Sequence, residues 1–121
     1  LNNFKMGNLP KIKMPKNSDD YVFVDDVVEA FMLAVRRPIP SGIYNLGSGV
    51  STPVLEICRT AERIVLGSEK LTQKLQKDAT LQEGNINFWA CIEDTKKILN
   101  WRPVTTIKVG IQDTWNHINK L

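Results

Sequence analysis

The stretch that decides the fold is DDYVFVDDVVEA, residues 19–30. Its aromatic and β-branched residues predict a strand over Tyr21 to Val24. Two aspartates follow, and Asp26 with Glu29 three residues later matches a capping box, so the strand is expected to pass directly into a helix. Helical spacing of apolar residues continues to about Arg36. We therefore interpret the two aspartates as helix caps rather than as catalytic acids.

A second informative segment, YNLGSG, occupies residues 44–49. It follows a turn at Ser41-Gly42, and Ile43 to Leu46 has strand character. The preceding helix is expected to carry one broad apolar face, made of Val27, Val28, Phe31, Ala34 and Val35.

Residues 19–30 and 44–49 together resemble the carboxyl-terminal half of the extended short-chain dehydrogenase/reductases, which include nucleotide-sugar epimerases, dehydratases and reductases. Members of this family usually read Arg-Asp-aromatic-Ile/Val-aromatic-Val-Asp-Asp-Val in the first segment and aromatic-Asn-Ile/Val-Gly-Ser-Gly in the second. The resemblance extends over Phe4 to His117, since FWACI at residues 88–92 and NWRP at residues 100–103 fall where the family has Ala-Asp-Ile and Leu-Gly-Trp-x-Pro.

This resemblance implies an α/β fold, the carboxyl-terminal portion of a Rossmann-type extended short-chain dehydrogenase with a mixed α/β substrate-binding subdomain. It also implies that residues 1–121 form a single substrate-binding region from which the amino-terminal dinucleotide-binding domain is absent. In the family, Ile43 to Leu46 would join the edge of the parallel sheet of that domain. We therefore expect this segment to be an unpaired strand edge here.

The motifs for cofactor binding and catalysis are absent from the sequence. Gly47-Ser48-Gly49 supplies two glycines of a G-x-G-x-x-G pattern, but Thr52 stands where the third glycine is needed. The family's acid/base pair is a tyrosine followed four residues later by a lysine, and neither Tyr21 nor Tyr44 has such a lysine. We expect no catalytic, cofactor-binding or metal-binding residues in this chain.

The departures from the family concentrate on substrate binding. Members commonly hold the substrate diphosphate with an arginine before the Asp-aromatic pair and another in a later loop, because a guanidinium matches phosphate oxygens. Here Asp19 occupies the first position, and residues 81–85 contain no arginine. Either other cations hold the substrate, with Lys11, Lys13 and Lys16 as candidates, or the substrate is not a usual nucleoside diphosphate sugar. The predicted substrate-facing set is Lys11, Lys13, Met14, Asp19, Gln82 and Asn85.

The chain is therefore interpreted as the substrate-binding half of an NAD(P)-dependent nucleotide-sugar epimerase, dehydratase or reductase, not catalytic by itself. The resemblance implies that the full-length parent is an enzyme that uses NAD or NADP, with no cofactor bound by this chain alone. The expected partners are the nucleotide-sugar substrate and the missing amino-terminal half, with self-association as a further option. The alternative is a stand-alone, non-catalytic protein-interaction module.

Composition and charge argue against nucleic-acid-binding and membrane proteins. The 121 residues are 42% hydrophobic, enough for one small core, with a net charge of +3. The lysines form two groups without interleaved aromatics, which favours a solvated face over a nucleic-acid patch. Cys58 and Cys91 are read as free thiols, Cys58 in the core, and no apolar run is long enough for a bilayer, so a cytoplasmic protein without membrane contact is expected.

The remaining elements are predicted from local signals. We expect a short helix ending near Gly7, a strand over Lys11 to Met14, and a strand over Leu71 to Lys77. Thr52 is expected to cap a helix with Pro53 at its first position. Gly67 is expected to end this helix as a left-handed stop. Asn100 is expected to end a short helix to Leu99 in the same way, and Thr106 to cap a final helix.

Overall fold

The computed structural model describes residues 1–12, 14–78 and 86–120. Helices dominate this part of the chain, and the strands are short. The elements in chain order are α1 (Asn2–Lys5), β1 (Ser18–Asp20), α2 (Val24–Arg36), β2 (Ser51–Pro53), α3 (Val54–Leu66), α4 (Lys70–Asp78), α5 (Glu93–Leu99) and α6 (Ile107–Ile118).

The two strands pair in an antiparallel register that sets Asp19 opposite Thr52. On the other side of β1, residues 86–88 add a single parallel bridge. There the Ser18 N–H donates to the Ile86 carbonyl at 2.9 Å, and the Phe88 N–H donates to the Ser18 carbonyl at 3.0 Å. Consequently β1 lies between two neighbouring segments from distant parts of the sequence.

Among the residues that the structure describes, buried hydrophobic side chains form two clusters. In the first, Phe4 of α1 packs on Cys58 and Ala61 of α3. In the second, Ala30 of α2 packs on Leu99 and Trp101. Cys58 is buried and Cys91 is exposed, and both are free thiols. No helix in the described part of the chain is long and apolar enough to cross a membrane.

The start of α2 differs from the prediction. The predicted strand over Tyr21 to Val24 is wrong, because β1 ends at Asp20, before the predicted strand begins, and α2 already begins at Val24. The predicted capping box is also wrong, since the residue at the cap position is Phe23 and no side chain caps it. Asp26 is buried and instead accepts hydrogen bonds from the N–H groups of Val104 at 3.2 Å and Thr105 at 3.0 Å. The Asp26 carboxylate therefore binds two backbone N–H groups that are distant in the sequence, and not an N–H group at the start of its own helix.

The start of α3 also differs. Thr52 and Pro53 belong to β2, and Pro53 occupies the cap position without a side-chain cap bond. Thr52 is buried opposite Asp19 in β2 and is not the cap residue of α3. Pairing with β1 outweighs the local capping preference.

The predicted strand over Leu71 to Lys77 is wrong, because these residues form part of the helix α4. The cause is Glu62 of α3, which is fully buried. Its carboxylate accepts hydrogen bonds from the N–H groups of Leu71 at 3.0 Å and Thr72 at 2.8 Å, two amides of the first turn of α4. A helix end stabilised by a side chain eight or more residues earlier cannot be recognised from local alternation.

Two more predicted strands are not formed. Residues 11, 12 and 14 have no regular structure, and Lys13 lies outside the described residues. Residues 43–46 also lack strand assignment.

The predicted helix ends are confirmed. Gly67 and Asn100 have φ angles of 65° and 51°, and the Thr106 hydroxyl accepts from the Val109 N–H at 3.3 Å.

Candidate functional site: the Asp20 junction and two open surfaces

Three distant segments meet at the carboxylate of Asp20, at the end of β1. Its Oδ1 accepts from the N–H and the hydroxyl of Ser48, each at 2.6 Å. Its Oδ2 accepts from the N–H groups of Gly49 at 2.9 Å and Ala90 at 3.0 Å. Partial burial would raise the pKa of Asp20, but the hydrogen bonds from Ser48, Ala90 and Gly49 outweigh it and hold the pKa below its ordinary value.

The contacts at Asp20 explain why residues 47–49, the glycine loop, contain glycine, and no bound phosphate is needed for this explanation. A Cβ at Gly47 would lie 2.6 Å from Asp20 Oδ2 and 2.8 Å from the Ala90 Cβ, so only glycine fits. Two backbone amides of the loop, those of Ser48 and Gly49, are occupied by a carboxylate of the same chain. The loop therefore connects parts of the fold through these two hydrogen bonds.

Three of the predicted substrate-facing residues are described. Lys11 and Met14 are exposed, while Asp19 is half-buried in β1. No hydrogen bond or ion pair among the described residues joins these three side chains. Lys13, Gln82 and Asn85 lie outside the residues that the structure describes, so the set remains a prediction.

An open apolar groove runs between α3 and α6. Ile57 and Ile111 line both of its parts, a cavity of about 160 Å³ that reaches Tyr21 and one of about 320 Å³ that reaches Phe4. Sequence reasoning missed this groove, because its walls come from helices far apart in the chain.

Tyr21, at one end of the groove, remains a neutral phenol. Burial is the main cause that raises its pKa, and the negative charge of Asp19 adds to the effect. A phenol with a raised pKa is a hydrogen-bond donor at neutral pH and a poor base.

The helix α2 is apolar on two sides. Ala30 faces the core, with Val27 and Ala34 half-buried beside it. The opposite side is exposed, so the prediction of one broad apolar face is corrected to two stripes. The exposed stripe consists of Val24, Val28, Phe31, Met32 and Val35, with exposed fractions of 61%, 52%, 64%, 43% and 81%.

Residues 43–46 lie beside this stripe. Tyr44 and Leu46 line an open cavity of about 220 Å³ together with Phe31 of α2. Asn45 faces another segment, because its Nδ2 donates to the Cys91 carbonyl at 3.1 Å. Ile43 is 94% exposed. The side chains thus alternate in direction as in a strand, although no partner strand is described.

Comparison with known proteins shows which enzymes this chain is similar to. No family model matches the chain. The UDP-glucose 4-epimerase of Erwinia amylovora is 32% identical over 102 residues, which cover 80% of this chain and 28% of that protein. The dTDP-L-rhamnose 4-epimerase of Burkholderia thailandensis is 25% identical over 100 residues, covering 79% of this chain and 26% of that protein.

Solved structures agree on the fold. The UDP-glucuronic acid 4-epimerase of Bacillus cereus, in complex with NAD, matches with a TM-score of 0.73 at 17% identity, over 98% of this chain and 35% of its own. A protein of Pseudomonas aeruginosa solved with NADPH matches with a TM-score of 0.56 at 15% identity, over 96% of this chain and 39% of its own.

These comparisons confirm the resemblance and the fold class. The chain matches the carboxyl-terminal region of Rossmann-type extended short-chain dehydrogenase/reductases of the nucleotide-sugar epimerase and dehydratase type. It spans between a quarter and a third of the length of the curated relatives it matches.

Proposed function

We propose that this chain is the substrate-binding region of an NAD(P)-dependent nucleotide-sugar epimerase, dehydratase or reductase, and that it is not catalytic without a dinucleotide-binding segment. The observation that carries the proposal is the exposed apolar stripe of α2 beside residues 43–46. The domain assignment, with residues 1–121 as one substrate-binding region, is part of the same proposal.

The stripe is unusual for a surface helix. Val24, Val28, Phe31 and Val35 repeat at the spacing of one helix face, and the opposite face of α2 already packs on the core. A contiguous exposed apolar surface of this kind marks an interaction site. A protein-interaction module would also expose an apolar face, so the substrate titration described below separates it from the proposed function.

The occupant that best fits this surface is a dinucleotide-binding segment. The Bacillus cereus neighbour matches 98% of this chain, yet the matched part is only 35% of that protein, which was solved with NAD. In this proposal NAD or NADP is held by the unmatched part, since the glycine loop of this chain is occupied by Asp20. The cofactor would supply hydride transfer, and this chain would orient the nucleotide sugar.

The substrate would approach Lys11, Met14 and Asp19, with Lys13, Gln82 and Asn85 completing the proposed set. The groove between α3 and α6 supports this placement, because Ile12 packs near its wall and Tyr21 lies at its end. Lys11 is exposed and could attract a diphosphate, whereas Asp19 would repel one.

The test is a ligand titration of the ¹⁵N-labelled chain observed by NMR. We expect UDP-glucose to shift the amide resonances of residues 11–14 and 19–21, and NAD at the same concentration to shift none of them. UDP alone and glucose alone separate the nucleotide from the sugar contribution. Absence of any shift with millimolar UDP-glucose, or binding of NAD by this chain alone, would contradict the proposal.

A further inference from the structure

A polar cavity of about 540 Å³ lies at the carboxyl-terminal end of α5. Its described lining residues are Lys96, Asn100, Trp101 and Arg102. Two of these four carry a positive charge, one carries a side-chain amide, and none carries a carboxylate. The cavity shares no lining residue with the apolar groove between α3 and α6. It is therefore a separate place in the fold, and its charge is the one that an anion requires.

The loop that carries Arg102 is anchored on both sides by Asp26. Before Arg102, the Trp101 Nε1–H donates to the Asp26 carbonyl at 2.8 Å, and the indole ring is buried. After Arg102, the N–H groups of Val104 and Thr105 donate to the Asp26 carboxylate. Arg102 itself is exposed. A site on a loop that is already anchored in the free protein binds its ligand at a lower cost in conformational entropy.

The two cations of the cavity are available to a ligand. Within the described part of the chain, no hydrogen bond or ion pair involves the Arg102 guanidinium, whose fork of N–H donors matches phosphate oxygens. The Lys96 Nζ donates to the Glu93 carboxylate at 2.8 Å, and the two side chains are 42% and 63% exposed. Because an exposed ion pair of this kind is weak, Lys96 can exchange Glu93 for an anion in the cavity.

The end of α5 is prepared for a negative charge by an arginine from another helix. The last carbonyl groups of a helix carry partial negative charge and repel anions. Here Arg37, which directly follows α2, donates through its Nη2 to the Ile98 carbonyl at 2.7 Å. This contact satisfies one of the last carbonyl groups of α5 and brings a third positive charge to the same end of the helix.

We propose that this cavity binds a phosphate dianion, with Arg102 and Lys96 as its cationic partners and the Asn100 amide as a further donor. Two cations favour a dianion over a monoanion. The volume lies in the range of small-molecule sites, so the dianion is free phosphate or the phosphate group of a small organic molecule. The inference does not depend on the proposed function, since neither Lys11 nor Asp19 lines the cavity.

The experiment titrates the ¹⁵N-labelled chain with inorganic phosphate and follows amide resonances by NMR. The ionic strength is held at about 0.15 M with sodium chloride, since charges more than about 8 Å apart are then largely screened. We expect shifts at Lys96, Asn100 and Arg102, including the side-chain amide of Asn100, with a millimolar dissociation constant. Phenyl phosphate is the second probe. Tighter binding of phenyl phosphate would assign the site to small organic phosphates, and equal or weaker binding would assign it to free phosphate.

Three variants test the assignment of the residues. Arg102→Gln should weaken phosphate binding about fivefold or more, because it removes the guanidinium without touching the anchors of the loop. Lys108→Gln removes the same charge from an exposed position of α6 and should change the dissociation constant by less than about twofold. Glu93→Gln releases Lys96 and should strengthen binding about twofold, which tests the site without a change at Arg102.

The outcomes that would overturn the inference are specific to this cavity. They are the absence of phosphate-dependent shifts at Lys96, Asn100 and Arg102, equal shifts on addition of sodium chloride alone, and equal weakening by Arg102→Gln and Lys108→Gln. The UDP-glucose titration is read at residues 11–14 and 19–21, so failure of the phosphate site and failure of the proposed function are distinguishable.

Discussion

Asp19 and Asp20 are neighbours in the chain, yet their carboxylates have opposite surroundings. Successive side chains in a strand point to opposite faces, so Asp20 enters the loop junction while Asp19 is left on the other side. No hydrogen bond or ion pair is described for the Asp19 side chain. Asp20 therefore has a structural role, whereas the carboxylate of Asp19 remains available to influence a ligand.

The residue that we expect to weaken diphosphate binding is Asp19. Removing its charge with Asp19→Asn should tighten UDP-glucose binding about fivefold, because two unit charges about 4 Å apart in water repel by about 1 kcal/mol. Isothermal titration calorimetry of the two variants measures the ratio of dissociation constants. Asp113→Asn, which removes an exposed charge on α6, should leave the constant unchanged. Equal affinity of wild type and Asp19→Asn would remove Asp19 from the proposed substrate-facing set.

Glu62 is expected to be the most sensitive carboxylate for stability. Glu62→Ala leaves buried donors unpaired, so the free energy of unfolding should fall by about 3 kcal/mol, measured by urea denaturation at pH 7. Glu56→Ala on the same helix is exposed and should change it by less than about 0.5 kcal/mol.

The lowered pKa of Glu62 makes the free energy of unfolding depend on pH. Burial would raise the pKa of Glu62, but hydrogen bonds from Thr72, Leu71 and Ser68 outweigh it and lower the pKa below its ordinary 4.5. The stabilisation is therefore complete above pH 4.5 and is lost as the pH falls through the lower folded-state pKa. Glu62→Gln should flatten this part of the stability curve, and an equally steep curve in the variant would contradict the assignment.

At the scale of elements, the contact between α6 and the start of α2 depends on a glycine. A Cβ at Gly110 would lie 2.8 Å from Phe23 Cδ2 and 3.2 Å from its Cγ, atoms that cannot move without shifting the whole ring. These close distances mean that α6 can approach Phe23 only because residue 110 has no side chain.

Gly110→Ala is expected to destabilise the chain. Alanine favours the helix by about 1 kcal/mol, whereas overpacking costs about 1 to 3 kcal/mol, so a net loss of about 1 kcal/mol is expected. The thermal midpoint measures this change. Asn116→Ala in the same helix is exposed and should be neutral or slightly stabilising, and a stabilised Gly110→Ala variant would show that α6 can move away from Phe23 without loss.

For the whole molecule, the decisive property is that the part of the chain that the structure describes has small buried clusters and also carries a large exposed apolar surface. In solution this surface should cause the isolated chain to self-associate through α2. Phe31→Glu should shift the chain toward the monomer in sedimentation velocity without lowering its thermal midpoint, because the Phe31 side chain is 64% exposed.

The control for this prediction is Lys74→Glu, which also introduces a glutamate at an exposed helix position. It should leave the association constant within about twofold, since Lys74 lies on α4 away from the apolar stripe. Equal dissociation in both variants would mean that net charge, and not the α2 surface, governs association.

Some elements of the fold could be predicted from the sequence, and others could not. The helices from Val24 to Arg36 and from Ile107 to Ile118 were recognisable because their apolar residues repeat at helical spacing, and the stops at Gly67 and Asn100 because left-handed φ angles require these residue types. The candidate site was less accessible. Asp19 was singled out by its departure from the family pattern, but the role of Asp20 and the groove between α3 and α6 were not found.

By itself, the sequence determined the α/β class, the family resemblance, the helix stops at Gly67 and Asn100, the cap at Thr106 and the absence of a Tyr-x-x-x-Lys pair, because each depends on residue types within a few positions. Only the tertiary structure decided that residues 71–77 are helical, that Asp26 anchors a distant loop and that Asp20 fills the glycine loop. Each of these outcomes depends on a hydrogen bond between residues at least nine positions apart, for example Leu71 to Glu62. Local propensities are weak, about 1 kcal/mol or less per residue, so a buried carboxylate with several donors overrides them.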